Sequence, residues 1–314
     1  MAEIVSVENL VKRYGDLVAL DHFNLHIAPG EIFGLLGPNG SGKTTSINCM
    51  LSLLGYDKGS IRLFGEPMAP GRLDLKRRIG VVPQQVAVFN ELTVRENIDY
   101  FCSLYVQDRH RRRELVDEAI EFVGIADFAR FRPGNLSGGL ARRLNIACGI
   151  AHRPELIFFD EPTVAVDPQS RNAILDGICR LRDEGATVVY TSHYMEEVEQ
   201  ICDRVMIMDG GRALAEGTPD ELKRMIQMGE RVTAEVGYLA PATLADIRAL
   251  PHVLTADVAR GELTCSCEAS PHNLIDILDL LRGADVPVGR VWSEPPTLND
   301  VFLEITGREL RDRG

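Results

Sequence analysis

Long apolar runs are absent from this chain of 314 residues. No stretch approaches the roughly 18 to 20 apolar residues that a helix needs to cross a bilayer. The first residues, Met1-Ala2-Glu3-Ile4, also lack the basic region that precedes the apolar part of a secretory signal. We therefore expect neither a membrane span nor a leader, and we expect the chain itself to stay in the cytoplasm.

Positive charge and cysteine are also limited. The chain has 34 Lys and Arg against 46 Asp and Glu, which gives a formal net charge of -12. Nucleic acid binding depends on clustered Lys and Arg, so this balance predicts no nucleic acid partner. The seven cysteines are odd in number and scattered, which favours reduced thiols over a disulfide framework. Cys265 and Cys267 are the only close pair, and their spacing suits one face of a strand better than a metal site.

Apolar runs of moderate length indicate the fold class. Residues 4–32 contain short alternating runs broken by turn residues, which is typical of antiparallel strands at an edge. Residues 32–36 are almost continuously apolar, and so are 156–159 and 187–190, each of the last two after a predicted helix. Strands buried on both faces and alternating with helices predict an α/β core with a parallel sheet. Residues from about 85 to 150 are mostly helical in pattern and predict an inserted lobe.

A glycine-rich loop follows the first buried strand and fits the phosphate-loop spacing G-x-x-x-x-G-K-[ST]. Its residues are Gly37, Pro38, Asn39, Gly40, Ser41, Gly42, Lys43 and Thr44. The glycines let backbone N–H groups turn inward around a phosphate, Lys43 supplies positive charge to the β- and γ-phosphates, and the Thr44 hydroxyl suits Mg²⁺. A predicted strand before the loop and a predicted helix after it give this motif its proper context, so we expect a site for ATP and Mg²⁺.

Two acids end the second buried strand, at Asp160 and Glu161. The carboxyl end of a central parallel strand is where ligands collect in open α/β sheets. Asp160 can then hold Mg²⁺, and Glu161 can polarise the attacking water as general base. The alternative is a strand that ends in a solvated acidic turn, which the position of the other segments disfavours.

The segment Leu136-Ser137-Gly138-Gly139 has no use in the part of a phosphate site that lies in its own subunit. Gly138 and Gly139 let the backbone approach an anion, and the helix that follows can point its N-terminus at a γ-phosphate. We therefore expect this segment to close over a nucleotide held by a second copy of the chain. Arg142 and Arg143 lie in the first turn of that helix, where the dipole disfavours cations. A nearby anion or acidic group and simple solvation are both open explanations.

Together these segments resemble the ATP-binding subunit of an ABC transporter, over roughly residues 3–222. The resemblance implies an ATPase that binds Mg·ATP and works as a head-to-tail homodimer with an integral membrane permease. It also implies roles for residues outside the motifs above. Tyr14 would stack on adenine, and Thr45 would complete the phosphate loop. Gln84 would be a catalytic residue that contacts Mg²⁺, senses the γ-phosphate and faces the permease.

The resemblance extends to the surface where two copies would pair. The residues implied there are Ser137, Gly138, Gly139 and Asp167. His193 would be a catalytic residue that contacts the γ-phosphate. Two positions depart from the family pattern: Leu140 stands where Gln is common, and Ala165 stands in a turn where Gly-Leu is usual. We expect both departures to tune the dimer and its turnover rather than abolish them.

The chain after residue 225 indicates a second, smaller domain. We place an ABC-type P-loop ATPase domain at 1–225, with its antiparallel edge and its helical signature lobe, and an accessory α+β domain at 226–314. The predicted order of elements in the second domain is β-α-β-β-α-β, that of a ferredoxin-like unit, with a turn at Arg260-Gly261. Its last part, 295–308, is similar to the C-terminal end of ATPase subunits from bacterial drug, nodulation-factor and polysaccharide exporters.

The resemblance favours an exporter on the cytoplasmic face of a bacterial membrane, because sugar importers of this superfamily usually append a β-barrel. An importer subunit and a soluble ABC ATPase of the translation or DNA-repair type are the alternatives. Translation factors of that type carry two sets of motifs and repair proteins carry long coiled coils, whereas this chain has one set and a short insertion. The sequence does not indicate the transported compound, because the substrate path lies in the permease.

Overall fold

The computed structural model of the chain describes residues 3–164 and 166–307. Ala165, one of the two departures noted above, lies outside the described residues, and so do Arg308 and the outer ends of both predicted domains. The chain divides into two units, the first ending at Pro219 and the second beginning at Asp220. The domain boundary predicted at 225 lies a few residues after this division.

Strands and helices alternate through most of the first unit. In chain order, the strands among its described residues are β1 (Val5–Tyr14), β2 (Leu17–Ile27), β3 (Ile32–Leu36), β4 (Lys58–Leu63), β5 (Glu66–Pro67), β6 (Ile79–Val82), β7 (Leu156–Asp160), β8 (Thr187–Ser192), β9 (Arg204–Asp209) and β10 (Arg212–Gly217). The helices are α1 (Lys43–Met50), α2 (Leu73–Lys76), α3 (Val94–Ser103), α4 (Arg109–Phe122), α5 (Gly138–Ile150), α6 (Pro168–Asp183), α7 (Met195–Ile201) and, across the division, α8 (Pro219–Lys223).

The central sheet has the strand order β10-β9-β3-β8-β7-β6. All neighbours in it pair in parallel except β10, which is antiparallel to β9. Every residue of β3, β7 and β8 is buried, as the continuous apolar runs predict for strands covered on both faces. In register, Leu36 lies beside Ser192, and Asp160 lies beside Thr191. The carboxyl ends of three strands therefore meet at one edge, and the candidate site is built there.

A second sheet of the first unit is antiparallel, with the order β2-β1-β4-β5, as the alternating runs near the start predict. Its inward side chains join those of β3, α1 and β7 in one core, which includes Leu10, Phe23, Phe33, Ile47 and Phe158. Full burial of an aliphatic or aromatic side chain of this kind stabilises a fold by roughly 1.5–3 kcal/mol. The core fixes α1 and β3, and with them the loop that connects the two.

The predicted helical lobe is formed by α3, α4 and α5, which pack around a separate apolar core. Thr93 begins α3 with a capping box that includes Glu96, and Asp108 caps α4 by accepting a hydrogen bond from the Arg111 N–H. Ser137 caps α5 in the same way. The signature segment therefore lies at the N-terminus of a helix that is anchored in the core of the lobe.

The second unit is a four-stranded antiparallel sheet with two helices between its strands. Its elements are β11 (Glu230–Val236), α9 (Pro241–Arg248), β12 (Val253–Ala259), β13 (Glu262–Cys267), α10 (Asn273–Gly283), β14 (Val288–Glu294) and α11 (Leu298–Thr306). The strand order β12-β13-β11-β14 and the chain order confirm the predicted β-α-β-β-α-β unit. Arg260 and Gly261 both have positive φ, 54° and 84°, as a two-residue hairpin turn requires. Among the described residues, no helix is both long and apolar enough to cross a membrane.

Candidate active site

The loop of residues 37–42 leaves β3 and turns directly into α1. Gly40 and Gly42 have φ of +83° and +107°, a region that favours glycine. A Cβ on Gly42 would also lie 2.8 Å from the Ala19 carbonyl oxygen. The loop therefore needs glycine at this position for both backbone and steric reasons, and its shape is that of a phosphate-binding turn before a helix N-terminus.

Lys43 is buried, with 4% of its side chain exposed. Its Nζ donates hydrogen bonds to the carbonyl oxygens of Gly37 at 2.7 Å and Pro38 at 3.1 Å. The same atom lies 3.4 Å from Glu161 Oε1. These contacts keep the ammonium group against the curve of the loop and balance its charge.

Asp160 ends β7 between two hydroxyl groups. Its Oδ1 accepts hydrogen bonds from Thr191 Oγ1 at 2.7 Å and from Thr44 Oγ1 at 3.2 Å. Burial raises the pKa of Asp160, and the Glu161 charge adds to this, although the two hydroxyls and Lys43 act in the opposite direction. A carboxylate and a hydroxyl oxygen so close together are the hard oxygen ligands that Mg²⁺ prefers. The oxygen atoms of Thr44 and Asp160 thus fit a magnesium ion chemically.

Glu161 follows with a φ of 46°, and its backbone N–H donates to Thr191 Oγ1 at 3.0 Å. Its Oε2 accepts a hydrogen bond from Gln84 Nε2 at 3.0 Å and lies 3.5 Å from His193 Nδ1. Burial acts to raise the pKa of Glu161, but the His193 contact and the Lys43 charge outweigh it and hold that pKa below its usual value. The structure therefore keeps Glu161 ionised and brings Gln84 and His193 to it.

Arg142 holds the backbone on either side of Gln84. Its Nη1 donates to the carbonyl oxygens of Pro83 at 3.2 Å and Gln84 at 2.5 Å. Asn145, one turn later on α5, donates to Pro83 O at 3.1 Å and accepts from the Ala87 N–H at 3.0 Å. Neither solvation nor an anion explains Arg142, because its side chain is buried and its partners are backbone carbonyl groups. Sequence reasoning missed this role, since no local signal marks which side chains reach a distant segment.

The signature segment lies beside Asp167, at the start of α6. Ser137 Oγ accepts a hydrogen bond from the Leu140 N–H at 3.3 Å, and Asp167 Oδ1 accepts one from the Ser170 N–H at 2.9 Å. A Cβ on Gly139 would lie 2.7 Å from Ser170 Oγ and 3.2 Å from Asp167 Oδ2. The N-termini of α5 and α6 thus share one surface, which only a glycine at position 139 allows to pack so closely.

Tyr14 and Leu140 differ in their surroundings. Tyr14 ends β1 with 47% of its surface exposed, and the Lys12 ammonium lies 5.0 Å from the centre of its ring. Nearly half of Tyr14 is therefore accessible, and the Lys12 ammonium lies over its ring. Leu140 is half-buried and packs against the core of the helical lobe, so the residue at this departure serves the packing of its own subunit.

Two family models match the chain. Residues 20–164 match the ABC transporter family, and residues 217–306 match the "ATP-binding protein DrrA1-3-like, C-terminal domain" family. With a phosphate loop, an acidic strand and a signature segment on an α/β core, this chain belongs to the ATP-binding proteins of ABC transporters, which are ATPases coupled to transport.

Some relatives match the chain over almost their whole length, and their names refer to drug resistance or to export. The chain is 37% identical to the linearmycin resistance ATP-binding protein LnrL of Bacillus subtilis, over 98% of this chain and 100% of the relative. It is 36% identical to the Nod factor export ATP-binding protein I of Burkholderia thailandensis, over 98% of each. It is also 36% identical to the daunorubicin resistance ATP-binding protein DrrA3 of Streptomyces coeruleorubidus, over 98% and 97%.

Solved structures agree with the fold of the first unit. The dimeric structure of MJ0796, a bacterial ABC transporter cassette, has a TM-score of 0.64 and 28% identity, covering 68% of this chain and 98% of that one. The cbiO1 subunit from Clostridium perfringens, part of the transporter complex cbiONQ, has a TM-score of 0.66 and 28% identity, covering 71% and 91%. The similarity to complete cassettes confirms the predicted ABC-type ATPase core.

Proposed function

We propose that this chain binds and hydrolyses Mg·ATP as a head-to-tail pair of copies and thereby powers a membrane exporter. One observation carries the proposal. Four predicted residues from separate segments, Lys43, Gln84, Glu161 and His193, meet at the mouth of the phosphate loop, where the other three contact the buried carboxylate of Glu161. A solvated acidic turn would not gather a lysine, a glutamine and a histidine on one carboxylate.

The nucleotide would lie along the phosphate loop. The backbone of Gly37, Pro38, Asn39, Gly40, Ser41 and Gly42 would surround the phosphates, with Thr45 beside them. Lys43 would contact the β- and γ-phosphates, and Tyr14 would stack on the adenine. Thr44, Asp160 and Gln84 would hold Mg²⁺, which when bound neutralises phosphate charge in the transition state.

Glu161 would act as the general base. Its ionised carboxylate can accept a proton from the water whose oxygen attacks the γ-phosphorus, while the bond to the β-phosphate oxygen breaks and ADP leaves. Gln84 and His193 would fix the carboxylate from two sides. His193 would also contact the γ-phosphate, so the contacts of the histidine would change when that phosphate is released.

Pairing would complete each site. Ser137, Gly138, Gly139 and Asp167 would face the nucleotide of the second copy. The shared surface of the α5 and α6 N-termini supports this role, because the dipole of a helix is positive at its N-terminus and suits an anion. The similarity to a cassette with a dimeric structure supports it as well.

The permease would dock at a cleft next to the Gln84 segment. This cleft, of about 270 Å³, is lined largely by apolar and aromatic side chains. They include Val81, Pro83, Phe101, Leu104 and Tyr105. Such a cleft suits a short amphipathic helix of a membrane partner and would place the chain on the cytoplasmic face of the membrane. The names of relatives that match over nearly their full length, which refer to export or to drug resistance, favour export.

The test is the substitution Glu161→Gln. We expect ATP to bind with nearly unchanged affinity while hydrolysis falls by about 10² to 10⁴, the usual contribution of a general base. We also expect ATP to trap a dimer of the variant, visible as a shift in mass by light scattering. Glu196→Gln, an exposed carboxylate on α7, is the matched control and should behave as the unmodified protein. Hydrolysis by Glu161→Gln at a rate close to that of the control would contradict the role of Glu161.

A further inference from the structure

Glu197 is a buried carboxylate that the proposed chemistry does not use. It lies on α7, one turn after His193, and only 2% of its surface is exposed. Its Oε2 accepts three hydrogen bonds, from Tyr190 OH at 2.7 Å, Thr163 Oγ1 at 2.8 Å and Ser192 Oγ at 3.1 Å. A buried carboxylate costs free energy unless it is paired and hydrogen-bonded, so a carboxylate with three hydroxyl donors indicates a specific structural purpose.

Two of these donors border the candidate active site. Thr163 lies two residues after Glu161, in the segment that leads to Asp167. Ser192 directly precedes His193, and its Oγ also accepts a hydrogen bond from the Tyr194 N–H at 2.9 Å. The turn that carries His193 is therefore closed by a hydroxyl that Glu197 holds in place. One carboxylate oxygen thus fixes the segments on both sides of the cluster.

The other oxygen of Glu197 faces α6. Arg171 Nε lies 3.3 Å from Glu197 Oε1, an ion-pair contact without the alignment of a hydrogen bond. The Arg171 guanidinium lies 5.0 Å from the centre of the Tyr194 ring, and that ring lies 4.1 Å from the His193 ring. Because α6 begins directly after Asp167, Arg171 connects the Asp167 segment with the histidine turn along two routes.

We propose that Glu197 and Arg171 form a joint that makes the His193 turn and the Asp167 segment adopt their reactive positions together. In this role Glu197 is a positioning residue: it touches neither nucleotide nor water and acts through Thr163, Ser192 and Arg171. The inference rests on the proposed roles of His193 and Asp167. It adds that the same joint positions His193, which contacts the γ-phosphate, and Asp167, which contacts the other subunit.

The experiment compares Glu197→Gln, Arg171→Gln and the double variant in the full-length chain. Glutamine has nearly the same volume as glutamate, and its one oxygen can still accept the hydrogen bonds from the three hydroxyl groups. It has no negative charge, so the ion pair with Arg171 is lost. The matched control is Glu196→Gln, the same change at the exposed neighbour on α7. ATP affinity is measured by equilibrium titration, and kcat and KM are measured from steady-state hydrolysis.

We expect each single variant to lower kcat by about tenfold, because small misplacements of reacting groups can cost up to 10²-fold. ATP affinity should change by less than about twofold, since neither side chain touches the phosphate loop. The double variant should be no slower than the slower single variant, because both changes break the same joint. Multiplicative effects of the two variants, an unchanged kcat, or an equal loss of ATP affinity and kcat would each overturn the proposal.

Arg171→Gln keeps the test decisive if Glu197→Gln does not fold, since 30% of the Arg171 side chain is exposed and Glu197 keeps its three hydroxyl donors when Arg171 is replaced. Amide hydrogen exchange by mass spectrometry then supplies the second measurement. We expect faster exchange in the segments 163–164, 166–171 and 190–196 and unchanged exchange in α1. Unchanged exchange in those segments would contradict the joint. Failure of the base role would appear separately, as undiminished hydrolysis by Glu161→Gln.

Discussion

Lys43 and Glu161 carry opposite charges in a buried space that also contains Asp160. The environment moves the two acids in opposite directions: burial raises the pKa of Asp160, whereas the His193 contact and the Lys43 charge overcome burial and lower the pKa of Glu161. Neighbouring carboxylates whose pKa values are pushed apart usually have different tasks. The lowered pKa favours the ionised form of Glu161, which is the form that a general base requires.

Gly42 of the phosphate loop combines a positive φ of 107° with a close backbone neighbour, so this position tolerates a side chain poorly. For Gly42→Ala we expect a loss of about 1–3 kcal/mol in the free energy of unfolding, the usual cost of a residue held in a disfavoured backbone region. The close approach to the Ala19 carbonyl oxygen, 2.8 Å from the added Cβ, would also displace the loop. ATP affinity should therefore fall together with stability. Urea denaturation and equilibrium titration with ATP measure the two effects.

Gly55 provides the control for that substitution. A Cβ on Gly55 would meet no atom within 4 Å, and its φ is not positive. Gly55→Ala should leave both stability and ATP affinity close to those of the unmodified chain. Equal behaviour of the two alanine variants would show that the phosphate loop does not depend on the conformation of Gly42.

The elements around the site depend on packing that extends beyond it. Leu140 lies on α5 directly after the signature and packs against the core of the helical lobe. Leu140→Gln places the residue common in related subunits at this position, and we expect it to lower the free energy of unfolding by about 1 kcal/mol, since a half-buried leucine loses its apolar contacts. Its hydrolysis rate should change only a few-fold, because Ser137 and both glycines remain. Leu73→Gln, at an exposed leucine on α2, is the control, and an equal loss of stability there would contradict the packing role of Leu140.

His152, just after α5, gives this part of the molecule a pH dependence. Burial lowers the pKa of His152 to about 4, although its hydrogen bond to the Ile79 carbonyl oxygen acts against this. Its ring also stacks on Tyr105, with the centroids 3.9 Å apart. Since the unfolded chain binds a proton at this residue near pH 6.5 and the folded chain does not, stability should fall as pH decreases from about 6.5 to about 4, by up to about 1.4 kcal/mol per pH unit.

The measurement is urea denaturation between those two pH values. His152→Gln should flatten the dependence, whereas His110→Gln should not, because 87% of the His110 side chain is exposed. An identical pH dependence in the His152 variant and the unmodified chain would contradict the assignment to His152.

Local patterns were enough to predict the buried strands β3, β7 and β8, the phosphate loop and the order of elements in the second unit, since each depends on spacing within one segment. The gathering of Gln84, Glu161 and His193 was expected only because the segments resemble a known family. Thr191, Arg142 and Glu197 were missed, because their importance arises from partners far away in sequence that only the folded chain brings near. The expectation that Leu140 tunes the dimer left out its packing for the same reason: the residue contributes to a core that its own segment does not reveal.

The whole chain consists of two units, each with its own apolar core. We expect limited trypsin digestion to cut first at Lys223 or Arg224, near the end of α8, because the exposed fraction of the next residue, Met225, is 62%. The fragments on both sides should persist, since their interiors do not depend on the cut. Mass spectrometry identifies the site, and a first cut within either core would contradict two separately stable units.

The surface where Gly139 packs against Ser170 and Asp167 has a genetic consequence, because the proposed pair uses it for the nucleotide of the other subunit. In the proposed pair, each subunit lends its phosphate loop to one nucleotide and its signature surface to the other. A subunit damaged at Lys43 and a subunit damaged at Ser137 would each be inactive alone. Mixed in one cell, they would form pairs with one doubly damaged site and one fully intact site. Two inactive alleles of this gene should therefore complement each other, whereas two alleles damaged in the same element should not.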